Sequence, residues 1–290
     1  MKIFPVFFLI LLETFAFAKS PDYLPIPTKD IFRHTYYILS YNESNEQANW
    51  VYYSLTDSMV LNSGEERGNN FKIDKLITTG SAKSSDYTKS GYDRGHLCPA
   101  ADMGFNPVAM EESFLMSNIS PQTPDFNRGI WKELETTVRK WALKEHQLFV
   151  VTGPIFKNCK GSIGKDNVKV PGYFFKVIYD PTDDPKMIAF VFPNQKSDHP
   201  LTDFVVPTDE VEQLTGLDFF SQLPDGQENK LEGKVQLAGW FTGYEPESPI
   251  VTTSKPATST SEVHFYLILV FVILLIVTFV WLWTRSRNRK

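Results

Sequence analysis

The run Ser90-Gly91-Tyr92-Asp93-Arg94-Gly95-His96-Leu97-Cys98-Pro99 holds the densest chemistry in this chain. Arg94 and His96 are two residues apart, so in an extended segment their side chains project to the same side. Together they suit a phosphodiester. A guanidinium grips the non-bridging oxygens, and a neutral imidazole takes a proton from an attacking water. Gly95 between them lets the backbone pass close to a substrate. A second group lies downstream: Asn118-Ile119-Ser120-Pro121-Gln122 leads to Asn127, and Trp131 and Glu135 follow at helical spacing. From residue types alone, Asn118 reads as a turn residue and Asn127 as the cap of the helix that follows it. His34, His146, His199 and His264 read as surface or structural histidines. No two histidines stand four apart, and neither a Gly-x-Ser-x-Gly elbow nor a phosphate-cradling Gly-Lys-Ser loop is present.

Taken in order, Asp93-Arg94-Gly95-His96, Asn118 with Pro121-Gln122, and Asn127 with Trp131 and Glu135 resemble the DNA/RNA non-specific endonuclease family. These are ββα-metal nucleases of the Serratia nuclease and endonuclease G type. The intervals agree too, with 31 residues from His96 to Asn127 and eight more to Glu135. Further similar blocks are Arg67-Gly68-Asn69-Asn70-Phe71, Val151-Thr152-Gly153-Pro154-Ile155 and Tyr173-Phe174-Phe175-Lys176. The resemblance implies an α+β fold with a mixed or antiparallel sheet core flanked by helices. It also implies a role for each matching residue. His96 corresponds to the general base and Asn127 to the sole direct protein ligand of the divalent cation. Glu135 corresponds to the carboxylate that holds one of the cation's waters. Arg94 matches the arginine beside the base, Asn118 the amide near the scissile phosphate, and Arg67 an upstream substrate arginine. The implied cofactor is Mg2+, with Mn2+ as a substitute, and the implied substrates are DNA and RNA cut to 5′-phosphorylated ends. One neutral amide ligand suits Mg2+, which keeps several of its waters, and does not suit a structural zinc. Two other readings stay open at this stage: a catalytically inactive surface receptor that binds nucleic acid with the same fold, and a phosphodiesterase for another phosphoester.

The elements that must position these residues mix strand and helix. Short β-branched or aromatic stretches bounded by Gly, Pro or Asp predict strands over 36–41, 50–55, 148–152, 173–179 and 187–192. A helix is predicted over 128–146, with Ile130, Leu134, Val138 and Trp141 forming one buried stripe. Shorter helices are expected at 108–116 and 209–214. Strand and helix do not alternate regularly, which favours α+β over a doubly wound sheet.

The two ends read differently from the middle. Residues 1–18 carry Lys2, a ten-residue apolar run and Ala16-Phe17-Ala18, the pattern of a cleaved signal peptide. Residues 19–244 would be the nuclease domain, and 245–264 a stalk rich in Pro, Ser and Thr. Residues 265–283 are nineteen consecutive uncharged residues, long enough to span a bilayer as a helix. Basic residues crowd the tail 284–290, which predicts a single-pass type I protein with its C-terminus in the cytoplasm. The oligomeric state stays open, a homodimer included. The chain has 29 basic and 34 acidic residues. Setting aside Lys2 and Glu13 of the leader and the four basic residues of the tail leaves a net charge near −9. Phosphate chemistry must then depend on a local cationic site, since no global positive field is available. Cys98 and Cys159 are the only cysteines, either a disulfide or two free thiols, and Asn42 and Asn118 both begin N-glycosylation sequons.

Overall fold

A computed structural model of the chain describes residues 23–243. Its elements, in chain order, are β1 (Ile31–Arg33), β2 (Tyr37–Asn42), β3 (Gln47–Thr56), α1 (Asp57–Leu61), β4 (Asp93–His96), α2 (Pro107–Ser113), β5 (Ile119–Gln122), α3 (Pro124–Phe126), α4 (Lys132–Glu145), β6 (Gln147–Ile155), β7 (Ser162–Ile163), β8 (Val168–Lys169), β9 (Tyr173–Asp180), β10 (Lys186–Pro193), β11 (Val205–Val206), α5 (Thr208–Thr215) and α6 (Asp225–Glu232). The five strands expected from sequence are all present; the first is shifted by one residue at the same length, and the other four are longer than expected.

Seven strands form one antiparallel sheet in the order β1-β2-β3-β6-β9-β10-β11. Both faces are covered, and the strand sequences show why. Along β2 and β3, Tyr37, Leu39, Val51, Tyr53 and Leu55 pack into one buried cluster, while Ile38, Trp50 and Tyr52 pack into another. The same alternation continues through Leu148 and Val150 against Phe149 and Val151, and through Phe174 and Ile178 against Phe175, Val177 and Tyr179. Successive side chains on a strand point to opposite faces, so a strand apolar at every position requires a layer on each side. Helix α4 covers one face through Leu134, Val138, Trp141 and Ala142. Helices α5 and α6 cover the other through Val211 and Leu231.

Between the neighbouring strands β3 and β6 the chain makes one long excursion, residues 57–146, and every predicted site residue lies in it. Within it, β4 and β5 pair antiparallel, with Asp93 opposite Gln122 and His96 opposite Ile119. The helical segment follows β5 directly. It starts at Pro124, four residues earlier than expected, and passes through a wide π turn over Asn127–Trp131. Gly129 departs from helical geometry there, and α4 then runs to Glu145. Asn127 is therefore not an N-cap. Its backbone is helical (φ −58°, ψ −46°), and its own N–H donates to the Thr123 carbonyl at 2.9 Å. The Pro at the first helical position sets the true start.

The leader, the stalk, the apolar segment 265–283 and the tail lie outside the described residues. Among the described residues no helix is long and apolar enough to cross a membrane. The stripe on α4 supplies a direct check of the packing. Leu134 is fully buried between helix and sheet, so Leu134→Ala should cost about 2–5 kcal/mol. Urea denaturation should show the midpoint falling with the slope unchanged, and a loss under about 1 kcal/mol would contradict the packing described.

Candidate active site

Strand β4, the loop after it and the helical segment that follows β5 wall a cavity of about 520 Å3. Its lining includes Arg67, Arg94, His96, Asn127 and Glu135, five of the six predicted site residues, together with Asp93, Arg128, Lys132 and Arg139. Five basic side chains thus face two acidic ones, and the local sign is positive in a chain that is acidic overall.

His96 ends β4 and is 6% exposed. Its ring stands edge-on to Phe114 at 4.9 Å and tilted against Phe71 at 5.7 Å, and its Nε2 has no hydrogen-bond partner in the protein. Burial first, and the positive field of Arg67 second, push the imidazole down to about 3 from its ordinary 6.5. The ring is held neutral, with a bare nitrogen facing a cationic cavity. Arg94, two residues earlier, is anchored by Nη2 donating to the Ser84 carbonyl at 2.6 Å, and its guanidinium lies 5.4 Å from the Phe71 ring. Gly95 is required for a reason other than substrate approach: a Cβ there would overlap the buried side chain of Gln122 across the β4–β5 pair.

Asn127 faces the cavity from the first turns of the helical segment. Its Nδ2 donates to Asp93 Oδ2 at 2.9 Å. A carboxylate accepts only, so the amide is oriented with its nitrogen toward Asp93 and its oxygen left over. Asp93 also takes a two-pronged contact from Arg128, with Nε at 2.8 Å and Nη2 at 2.7 Å. Burial works against its charge, the Arg128 and Asn127 hydrogen bonds outweigh that, and its carboxyl lies below the usual range.

Glu135 lies two turns further along the helical segment, above a set of buried charges. Lys176 of β9 is fully buried, has no hydrogen-bond partner, and holds its Nζ 4.7 Å from the Trp131 ring. Asp102, also buried, accepts from Arg139 Nη1 at 2.7 Å and from the Tyr53 hydroxyl at 3.0 Å. Burial raises the Glu135 carboxyl, with Lys176 offsetting part of the rise and Asp102 adding to it. Burial lowers Lys176, opposed by Glu135 and Asp102.

Asn118 is the predicted residue that the cavity does not include. It is fully buried, its Nδ2 donates to the carbonyls of Cys98 and Ser113, both at 2.9 Å, and its Oδ1 accepts from the Cys98 N–H at 2.8 Å. With both ends of the amide engaged by backbone, it clamps the loop that leaves β4 instead of facing a phosphate, and no glycan fits on that nitrogen. Cys98 and Cys159 are free thiols, the first buried and the second hydrogen-bonded to the Phe156 carbonyl at 3.0 Å. Residue types did not point to Asp93, Arg128, Asp102, Arg139 or Lys176. One signal was available for Lys176, a charge in the middle of an otherwise apolar strand.

A neutral buried imidazole, an amide oxygen oriented by Asp93 and a cluster of cations thus share one cavity on a strand–strand–helix unit. The chain belongs to the DNA/RNA non-specific endonuclease family, whose profile matches residues 22–226. It is 38% identical over 216 residues to Nuclease C1 of Cunninghamella echinulata var. echinulata, covering 69% of this chain and 86% of that one. It is 39% identical over 199 residues to the mitochondrial Nuclease 1 of Schizosaccharomyces pombe, covering 62% of each. Among solved structures, a chain in the EndoG/EndoGI complex superposes with a TM-score of 0.65 at 34% identity, covering 69% of this chain and 89% of that one. The protein is thus a DNA/RNA non-specific endonuclease of a family that works with a divalent metal. The type I membrane topology expected from sequence is corrected here. Relatives of this chain, the S. pombe nuclease among them, are named mitochondrial, which does not match that topology. Length and apolarity make a segment able to span; they do not choose its compartment.

The depressed imidazole has a testable sign. Its folded value of about 3 lies below the ordinary 6.5. The stability it permits is therefore complete above about pH 6.5 and is lost as the pH falls from there toward 3. In NMR titrations the His96 ring should stay neutral down to about pH 4. A midpoint near 6.5 would show that the ring is solvated and not buried as described.

Proposed function

We propose that this cavity hydrolyses phosphodiester bonds of DNA and RNA with Mg2+ as its cation, with Mn2+ as a substitute. His96 is the general base and Asn127 Oδ1 is the protein's ligand to the metal. The observation that carries the reading is the pairing in one cationic cavity of a neutral imidazole with an unpartnered Nε2 and an amide whose nitrogen is tied to Asp93. A hard cation prefers oxygen, and Asn127 offers oxygen alone. When bound, Mg2+ supplies positive charge against the phosphate and the leaving oxygen.

The chain's own residues then divide the work. Arg67 and Arg94 draw the phosphate toward the cavity. Its negative charge counters the field of Arg67 at His96, which raises the basicity of Nε2 when substrate is in place. His96 Nε2 accepts a proton from a water as that water's oxygen bonds to phosphorus. The bond to the 3′ oxygen breaks, solvent returns a proton to that oxygen, and the phosphate stays on the 5′ end. Glu135 orders water beside Asn127, held in place by the charged layer beneath it. Contacts to phosphate carry no base information, which supports cleavage with little sequence preference.

His96→Ala should lower kcat on plasmid DNA and on RNA by about 10²–10⁴-fold with the fold intact. EDTA should stop cleavage by the wild type, and a series of divalent cations should restore it, Mg2+ and Mn2+ best. Asn127→Ala should raise the Mg2+ concentration needed for half-maximal rate. Wild-type rates in either variant would remove the assigned roles. Asp93→Asn tests the positioning role. It should weaken the apparent metal affinity on the order of 10–100-fold, while an unchanged metal dependence would mean that Asp93 holds Arg128 only.

A further inference from the structure

The sheet face opposite the catalytic cavity carries a second concentration of charge. Asp209 and Glu212 stand three residues apart on α5, and Glu232 is the last residue of α6. One carboxylate oxygen from each lies within 4.8 Å of the other two. Asp209 is exposed and Glu212 half-buried, with Oε1 of Glu212 accepting from the Phe219 N–H at 2.8 Å. Glu232 is different in kind. It is only 4% exposed, and its Oε1 is buried with no hydrogen-bond partner. It also sits at the C-terminal end of a helix, where the backbone dipole disfavours negative charge.

The strongest influences on Glu232 all act against its charge. Burial acts first, followed by the fields of Glu212, Glu228, Asp209 and Asp218, all acidic, and together they push Glu232 up to about 9. Glu212 rises to about 7 for similar reasons. A buried carboxylate with a bare oxygen needs either a proton or a cation. A neighbouring cavity of about 600 Å3, lined by Asp209, Glu212 and Asp218 with Ile26 and Leu217, gives access from solvent.

We propose that Asp209, Glu212 and Glu232 bind a calcium ion that ties α5 to α6, in a structural site separate from the catalytic cavity. The donor set is wholly hard oxygen, which selects the alkaline-earth cations. Ca2+ takes several carboxylate oxygens at 2.3–2.6 Å in a flexible shell, and three carboxylates drawn within 4.8 Å of one another can share one such ion. Mg2+ dehydrates reluctantly and is held by one or two carboxylates and its own waters, so a set of three carboxylates suits Ca2+ better. Water completes the calcium shell from the cavity side, and the ion displaces the protons that otherwise neutralise Glu232 and Glu212.

The test is a calorimetric titration of Ca2+ into the full-length protein, with excess Mg2+ present to occupy the catalytic cavity. Wild type should bind at one site, release protons at pH 7 in paired buffers of different ionisation enthalpy, and gain thermal stability with Ca2+. Glu232→Gln and Asp209→Asn should each bind on the order of tenfold or more weakly, lose the thermal gain, and keep wild-type nuclease activity. Asp209 is exposed, so its variant answers the question even where Glu232→Gln folds poorly. No calcium site in the wild type, or unchanged binding in both variants, overturns the proposal and leaves the cluster held by protons.

Discussion

The carboxylate of Asp93 joins the strand that carries the imidazole to the helical segment that carries the amide. Three hydrogen bonds meet on it, one from Asn127 and two from Arg128, all at 2.9 Å or less. Charge-assisted contacts of this kind are short and directional, and a two-pronged guanidinium contact fixes angle as well as distance. Because a carboxylate has no proton to donate, the same contact decides which end of the Asn127 amide faces the cavity. The β4–β5 pair sets the other boundary. Gly95 allows the Gln122 side chain to lie against the β4 backbone, so the strand bearing His96 sits close to the chain that leads into the helical segment.

Beneath this joint lies a layer of charge that connects the site to the large sheet. Lys176 comes from β9, Tyr53 from β3, Asp102 from the loop after β4, and Arg139 from α4. Charges removed from water interact strongly and compensate one another, so loss of any one leaves the rest exposed to their desolvation cost. Lys176 has no hydrogen bond of its own, and the indole of Trp131 supplies the face on which its ammonium rests. The residues that line the cavity therefore rest on the sheet through a layer of largely buried charged side chains.

The distribution of charge also resolves an apparent conflict. An acidic chain is a poor non-specific ligand for nucleic acid, whose own charge is dense and negative. Here five basic side chains converge on one cavity, while acidic groups gather on α5 and α6 on the far side of the sheet. A cleft lined by one sign of charge can draw in a charged ligand even where the whole chain has the opposite sign.

Much of the site was legible in the sequence, because its roles depend on residue type at fixed spacing along a strand and a helix. The Arg-x-His alternation, the eight-residue step from Asn127 to Glu135 and the apolar stripe of α4 are local periodicities that any chain of this order must express. The same holds for the sheet, whose continuous apolar strands demanded two covering layers. What the sequence could not decide was where each hydrogen-bonding group finds its partner. Asn118 looked like a site residue and is a clamp on Cys98 and Ser113. Asn127 looked like a cap and lies within the helical segment, its side chain held by Asp93 from 34 residues away. Lys176 and Asp102 became neighbours of Glu135 only when β9 and the loop after β4 were folded over one another. Such pairings are set by contacts distant in sequence, where solvent exclusion determines both the strength of a hydrogen bond and the sign of a proton's preference.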